Sequence, residues 1–117
     1  MFALRKIFLV TLLAIGCTHG VADCPRLIDS RIQRDWLVRR VTVDEAEREH
    51  MVNGVPFGFL DEQWRELKSK MRPGDELWLY QRKYPPSPPS AIAVGAEIGY
   101  VVIRDCKEAG SIVTLVS

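Results

Sequence analysis

The spacing of apolar residues changes several times along the chain, and each change marks an element. Behind Arg5 and Lys6, Ile7 to Gly16 form an apolar run of about ten residues. From Trp36 to Val43, Leu37, Val41 and Val43 fall on one face at period two, which predicts a strand. Thr42-Val43-Asp44-Glu45 then has the form of a capping box and opens a short helix over Val43 to Val52, ended by Asn53-Gly54. That helix has few apolar residues and is expected to lie mostly in water. Val55 to Phe59 reads as a turn-rich connector. Leu60, Trp64, Leu67 and Met71 recur at helical spacing and predict a main helix over Glu62 to Met71. Asp61 is placed to cap it, Glu66 and Lys70 form an i,i+4 pair, and Pro73-Gly74 stops it.

Three further strands are predicted, over Glu76 to Lys83, Glu97 to Arg104 and Ser111 to Val116. Asp105 to Gly110 is short enough to join the last two as an antiparallel hairpin. Tyr84 to Ser90 carries four prolines and reads as an extended spacer between the first two. Cys24 to Gln33 carries mixed signals with at most a short helical turn. The expected fold class is α+β, with a small antiparallel sheet of three or four strands packed against one main amphipathic helix and a shorter helix.

Both faces of that sheet need cover. Leu77 and Leu79 point one way while Trp78 and Tyr80 point the other, and Ile98, Tyr100 and Val102 oppose Val101 and Ile103. One amphipathic helix covers one face. The N-terminal segment covers the other if it is pinned by its cysteine; otherwise an apolar patch stays exposed.

The N-terminal run is too short to span a bilayer, which takes about 20 apolar residues. With its positive flank and the small-x-small pattern Gly20-Val21-Ala22, it reads as a secretory signal over 1–22, leaving a single domain over 23–117. Leu13-Ala14-Ile15-Gly16-Cys17 supports an alternative, a lipoprotein signal over 1–16 with Cys17 lipidated and the domain tethered to a membrane. Both readings place the protein in the periplasm or anchored in the envelope. They also leave Cys24 and Cys106 as an even pair in an oxidising compartment, where a disulfide is expected. Such a bridge closes a loop of about 83 residues and stabilises by roughly 4–5 kcal/mol on the chain-entropy description.

Charge and composition narrow the chemistry. The chain carries 16 cations and 15 anions, and removal of Arg5 and Lys6 leaves 14 against 15. Nucleic-acid binding demands a basic field, and the one cluster here, Arg26, Arg31, Arg34, Arg39 and Arg40, is interrupted by Asp29 and Asp35. His50 is the lone histidine of the expected domain and reads as an exposed residue on a charged helix, so no metal site or cofactor is expected. Asp75 and Glu76 are adjacent on a strand and so point to opposite faces, which disfavours an acid–base pair. No catalytic residue is assigned.

Two resemblances follow from the second half of the chain. Met71-x-Pro73-Gly74-Asp75 leading into a strand, then Gly99-Tyr100-Val101-Val102-Ile103, is similar to the β-meander of NlpC/P60 cell-wall peptidases. No histidine stands near Gly99 and no suitable cysteine precedes the turn, so that family's catalysis does not carry over. The residues Trp64, Leu67, Met71, Pro73-Gly74-Asp75-Glu76-Leu77-Trp78 and the tail Ser111-Ile112-Val113-Thr114 resemble a group of small exported bacterial proteins with a W-x-x-L-x-x-x-M-x-P-G-D-E-L-W core and an S-I-V-T ending. That resemblance implies export but no site residue. The expected function is a small non-catalytic binding module of the envelope, with a protein partner or a second copy held on a face of Trp78, Tyr80 and Tyr100, aromatics being favoured anchors. An inhibitor or immunity-type protein against an exported toxin or enzyme is the alternative, and a small envelope hydrolase a weaker one.

Overall fold

A four-stranded antiparallel sheet organises the protein in a computed structural model that describes residues 20–82 and 96–116. Its strands are β1 (Leu37–Val41), β4 (Glu76–Gln81), β5 (Glu97–Arg104) and β6 (Lys107–Val116), in the order β1-β4-β5-β6. Two helices, α1 (Val43–Glu49) and α2 (Asp61–Lys70), and a two-stranded hairpin of β2 (Met51–Val52) and β3 (Val55–Pro56) lie between β1 and β4 in the chain. The architecture is α+β. Cys17 and the proline-rich stretch 84–90 lie outside the described residues.

The two faces of the sheet are buried by different means. On one, Leu77, Tyr100, Val102 and Ile112 pack with Trp64 and Leu67 of α2, Ala46 of α1, and Phe57. On the other, Tyr80, Val101 and Ile103 pack with Val21, Ile32 and Trp36 from the N-terminal segment. Over its described residues, 20–36, that segment has two short 3-10 turns, Val21–Asp23 and Arg34–Trp36. It is held as a cap by the Cys24–Cys106 disulfide, by a parallel bridge of Ile28 to Lys107, and by Ser30 Oγ to Glu108 at 2.9 Å. The sheet is thus sandwiched between α2 and this cap, which is why strand residues are large and apolar on both sides.

Local chemistry sets the boundaries. Thr42 accepts from the Glu45 N–H at 3.1 Å and Glu45 reaches back to the Thr42 N–H at 3.0 Å, completing the expected capping box. α1 ends at Glu49 rather than Val52. Asn53 and Gly54 have φ of 50° and 78°, the positive values a two-residue hairpin turn requires, so they join β2 to β3 instead of capping the helix. α2 has no side-chain cap; Asp61 sits inside its first turn and pairs with Arg65 at 3.0 Å.

Two strands also depart from the expected pattern. The pairing of β1 with β4 shifts between Leu37 and Arg39, and this bulge puts Leu37 on the cap side while Val41 faces α2, breaking their expected common face. β6 starts at Lys107, four residues before the expected Ser111, because Asp105 and Cys106 (φ of 51° and 63°) make a tight turn and pair Arg104 with Lys107. Gly99 sits where β5 comes closest to its neighbours. A Cβ there would lie 2.2 Å from the Ile112 carbonyl oxygen and 2.9 Å from Cε1 of Tyr80, so a side chain would part β5 from β6.

Candidate functional site

The expected contact face does not form. Tyr80 and Tyr100 are both 0 % exposed and lie on opposite sides of the sheet, Tyr80 under the cap and Tyr100 under α2. Tyr80 donates to Glu97 Oε2 at 2.6 Å, and Arg31 closes over that carboxylate at 2.8 Å. Burial, with Glu97 as acceptor, pushes the Tyr80 hydroxyl up to about 12. Trp78 is half-buried, with Nε1 donating to Glu76 Oε1 at 2.9 Å. The physical reason is cover on both faces: α2 and Phe57 bury Tyr100, while residues 20–36, held across the sheet by the disulfide, bury Tyr80 and pack against Trp78.

The acids of the P-G-D turn are likewise committed. Asp75 accepts from the Arg72 N–H at 2.9 Å and from Arg104 at 2.7 and 2.9 Å, and these contacts hold its carboxyl below the usual range. A groove of about 390 Å³ beside it is lined by Glu45, Asp75, Met71 and Thr42, yet the Glu45 carboxylate is bonded to Thr42. Both carboxylates are thus engaged by local hydrogen bonds. Among the described residues no three His, Cys, Asp or Glu side chains gather as a metal site would need.

A different place stands out, at the junction of α1 with the hairpin. His50 ends α1, and Phe57 ends the hairpin, its N–H donating to the His50 carbonyl at 2.8 Å. Phe57 has φ of 63°, a left-handed conformation uncommon for a bulky residue. That conformation stacks its ring between His50, centroids 4.8 Å apart, and Trp64, at 4.3 Å. Tyr100 donates to Glu49 Oε2 at 3.1 Å, so its lone pair faces His50 Nε2 at 3.0 Å and the histidine donates from Nε2. Arg39 completes the line by pairing with Glu49. His50 is therefore a half-buried, hydrogen-bonded residue, not the exposed one expected.

Burial lowers the His50 pKa below 6.5, against an opposing pull from Glu49. A histidine depressed in the fold contributes stability that is complete above its unfolded value near 6.5 and is lost as pH falls from there through the lower folded value. Urea unfolding at pH 7.5 and pH 5.5 should accordingly show a drop in midpoint at the lower pH, and His50→Gln should shrink that drop. An equal drop in both proteins would remove His50 as its source. Glu47 and Glu49, lowered by Lys68 and Arg39, act only in the lower carboxylate range.

What this junction supports is an exposed apolar surface. Met51 (47 %), Val52 (53 %), Val55 (41 %) and Phe59 (95 %) are exposed within nine residues of chain. Val52 pairs directly with Val55, and a Cβ on Gly58 would touch Val52 Cβ at 3.1 Å, so the turn carrying Phe59 lies against the hairpin. Burying a phenylalanine is worth about 1.5–3 kcal/mol, which is left ungained at Phe59, the most exposed aromatic among the described residues. The sequence carried a signal: Asn-Gly between Met51-Val52 and Val55 is a strong short-range hairpin mark. The same Asn-Gly also fits the helix stop expected after the capping box. Comparison of the chain with family models, with curated proteins and with solved structures finds no match.

Proposed function

We propose that this chain is an exported, non-catalytic binding module of the bacterial envelope that docks a protein partner through its hairpin. The observation that carries the reading is Phe59, 95 % exposed on a turn that lies against the hairpin where the cross-strand pair Val52 and Val55 is also exposed, with α2 and His50 holding the hairpin through Phe57. Clustered exposed apolar side chains mark partner sites, and aromatics dominate their energetics. Phe57 supplies rigidity: its ring is locked between His50 and Trp64, so the hairpin meets a partner already ordered, which lowers the entropy lost on docking. Export is supported by the Cys24–Cys106 bridge, which suits an oxidising compartment.

A photo-crosslinking amino acid at position 59 in the living envelope tests the docking surface. A discrete adduct is expected from position 59 and none from position 38, which is also exposed but lies on β1. Its mass separates a foreign partner from a second copy. No adduct from position 59, or the same adduct from both positions, would sink the hairpin as the docking surface.

A further inference from the structure

Gly20, Val21 and Ala22 are part of the fold. Val21 is 1 % exposed and belongs to the cap-side core with Ile32, Trp36, Tyr80, Val101 and Ile103. Its N–H donates to Glu76 Oε2 at 3.0 Å, and Glu76 is a buried acid whose other oxygen takes Trp78 Nε1. Gly20 passes so close to that carboxylate that a Cβ there would lie 2.8 Å from Oε2. The 3-10 turn Val21–Asp23 is closed by Asp23 N–H to Gly20 O at 3.0 Å and Cys24 N–H to Val21 O at 2.9 Å, and it delivers the chain straight into the disulfide.

Cleavage after Ala22 would cut this turn, remove a buried core valine and take from a buried carboxylate one of its two close donors. Each of these is unfavourable. We infer that Gly20–Ala22 stay in the mature protein and that the export signal is removed upstream of Gly20. The processing point the sequence then offers is the Gly16–Cys17 bond, with water adding across that amide to release residues 1–16 and leave Cys17 as the new N-terminus. The inference rests on the reading of the chain as exported.

The full chain, produced in a bacterial host with its own leader, provides the test. Intact mass and the N-terminal peptide of the envelope form are measured, together with the thermal unfolding of wild type and Val21→Ala. Alanine keeps the small-x-small pattern, so the substitution leaves a cleavage point after Ala22 intact. The expected result is a chain beginning at Cys17, with or without acyl groups, whose Tm falls by about 5–10 °C on Val21→Ala. An N-terminus at Asp23 with identical Tm values would overturn the inference, since a removed residue cannot affect the mature domain. A chain that keeps Met1 would instead overturn the export reading, and the processing claim with it.

Discussion

Loss of the Cys24–Cys106 bridge is expected to lower stability by about 4.5 kcal/mol, the chain-entropy value for a closed loop of roughly this length. The two cysteines are 82 residues apart in sequence, so the bridge ties the cap to the turn between β5 and β6 across most of the described fold. The other ties of the cap are weaker. Arg31, which reaches Glu97, is 52 % exposed, and an ion pair so placed contributes at most about 1 kcal/mol. The double variant Cys24→Ser, Cys106→Ser should therefore melt about 20–35 °C lower than the oxidised protein. Its tryptophan emission should shift to the red as Trp36, the cap residue that is 6 % exposed against the sheet, meets water. A loss below about 1 kcal/mol would show that apolar packing alone holds the cap. A second comparison isolates the backbone. Cys106 has φ of 63°, so glycine at that position should recover about 1 kcal/mol relative to serine in the same Cys24→Ser background.

Whether the strand rings were core or interface could not be decided from spacing. Alternation showed that both sheet faces were apolar, and the cysteine count made a bridge from residue 24 to residue 106 the natural expectation. What it could not show was that a segment with almost no regular structure, carrying only Val21, Ile32 and Trp36 as large buried residues, would seal an entire face. Periodicity reports faces of helices and strands and is silent about an irregular cap. The same limit explains β1, where one bulged residue turns Leu37 to the opposite side from Val41. The strong elements were legible because local and tertiary preferences agree there. α2 shows the expected 3.6-residue spacing, the capping box forms at Thr42, and β5 runs from Glu97 to Arg104 as expected. The candidate site was hidden for the opposite reason. At Asn53-Gly54 two local rules conflict, a helix stop and a hairpin turn, and tertiary packing of Phe57 on Trp64 accompanies the second.

That packing makes Trp64 the residue whose removal should do most damage from a single change. Its ring is 0 % exposed, stacks on Phe57 at 4.3 Å and donates from Nε1 to Glu47 Oε2 at 2.8 Å. Trp64→Ala is expected to cost about 3–5 kcal/mol, the range for emptying an aromatic site in a core. Trp64→Phe keeps a ring against Phe57 and loses the indole donor; Lys68 still holds Glu47 at 2.8 Å, so that loss should stay near 1–2 kcal/mol. The pair of variants separates stability from docking. In Trp64→Ala the closest ring against Phe57 is gone, and only His50, Tyr100 and the Phe57 N–H bond to the His50 carbonyl remain to hold a left-handed backbone that costs about 1–3 kcal/mol. The hairpin should then reorient, and crosslinking from position 59 should fall at temperatures where the sheet is still folded by circular dichroism. Trp64→Phe should crosslink like the wild type. If instead Trp64→Ala keeps the adduct while losing stability, the hairpin holds its shape without the aromatic stack, and the route from Trp64 through Phe57 to Phe59 is wrong.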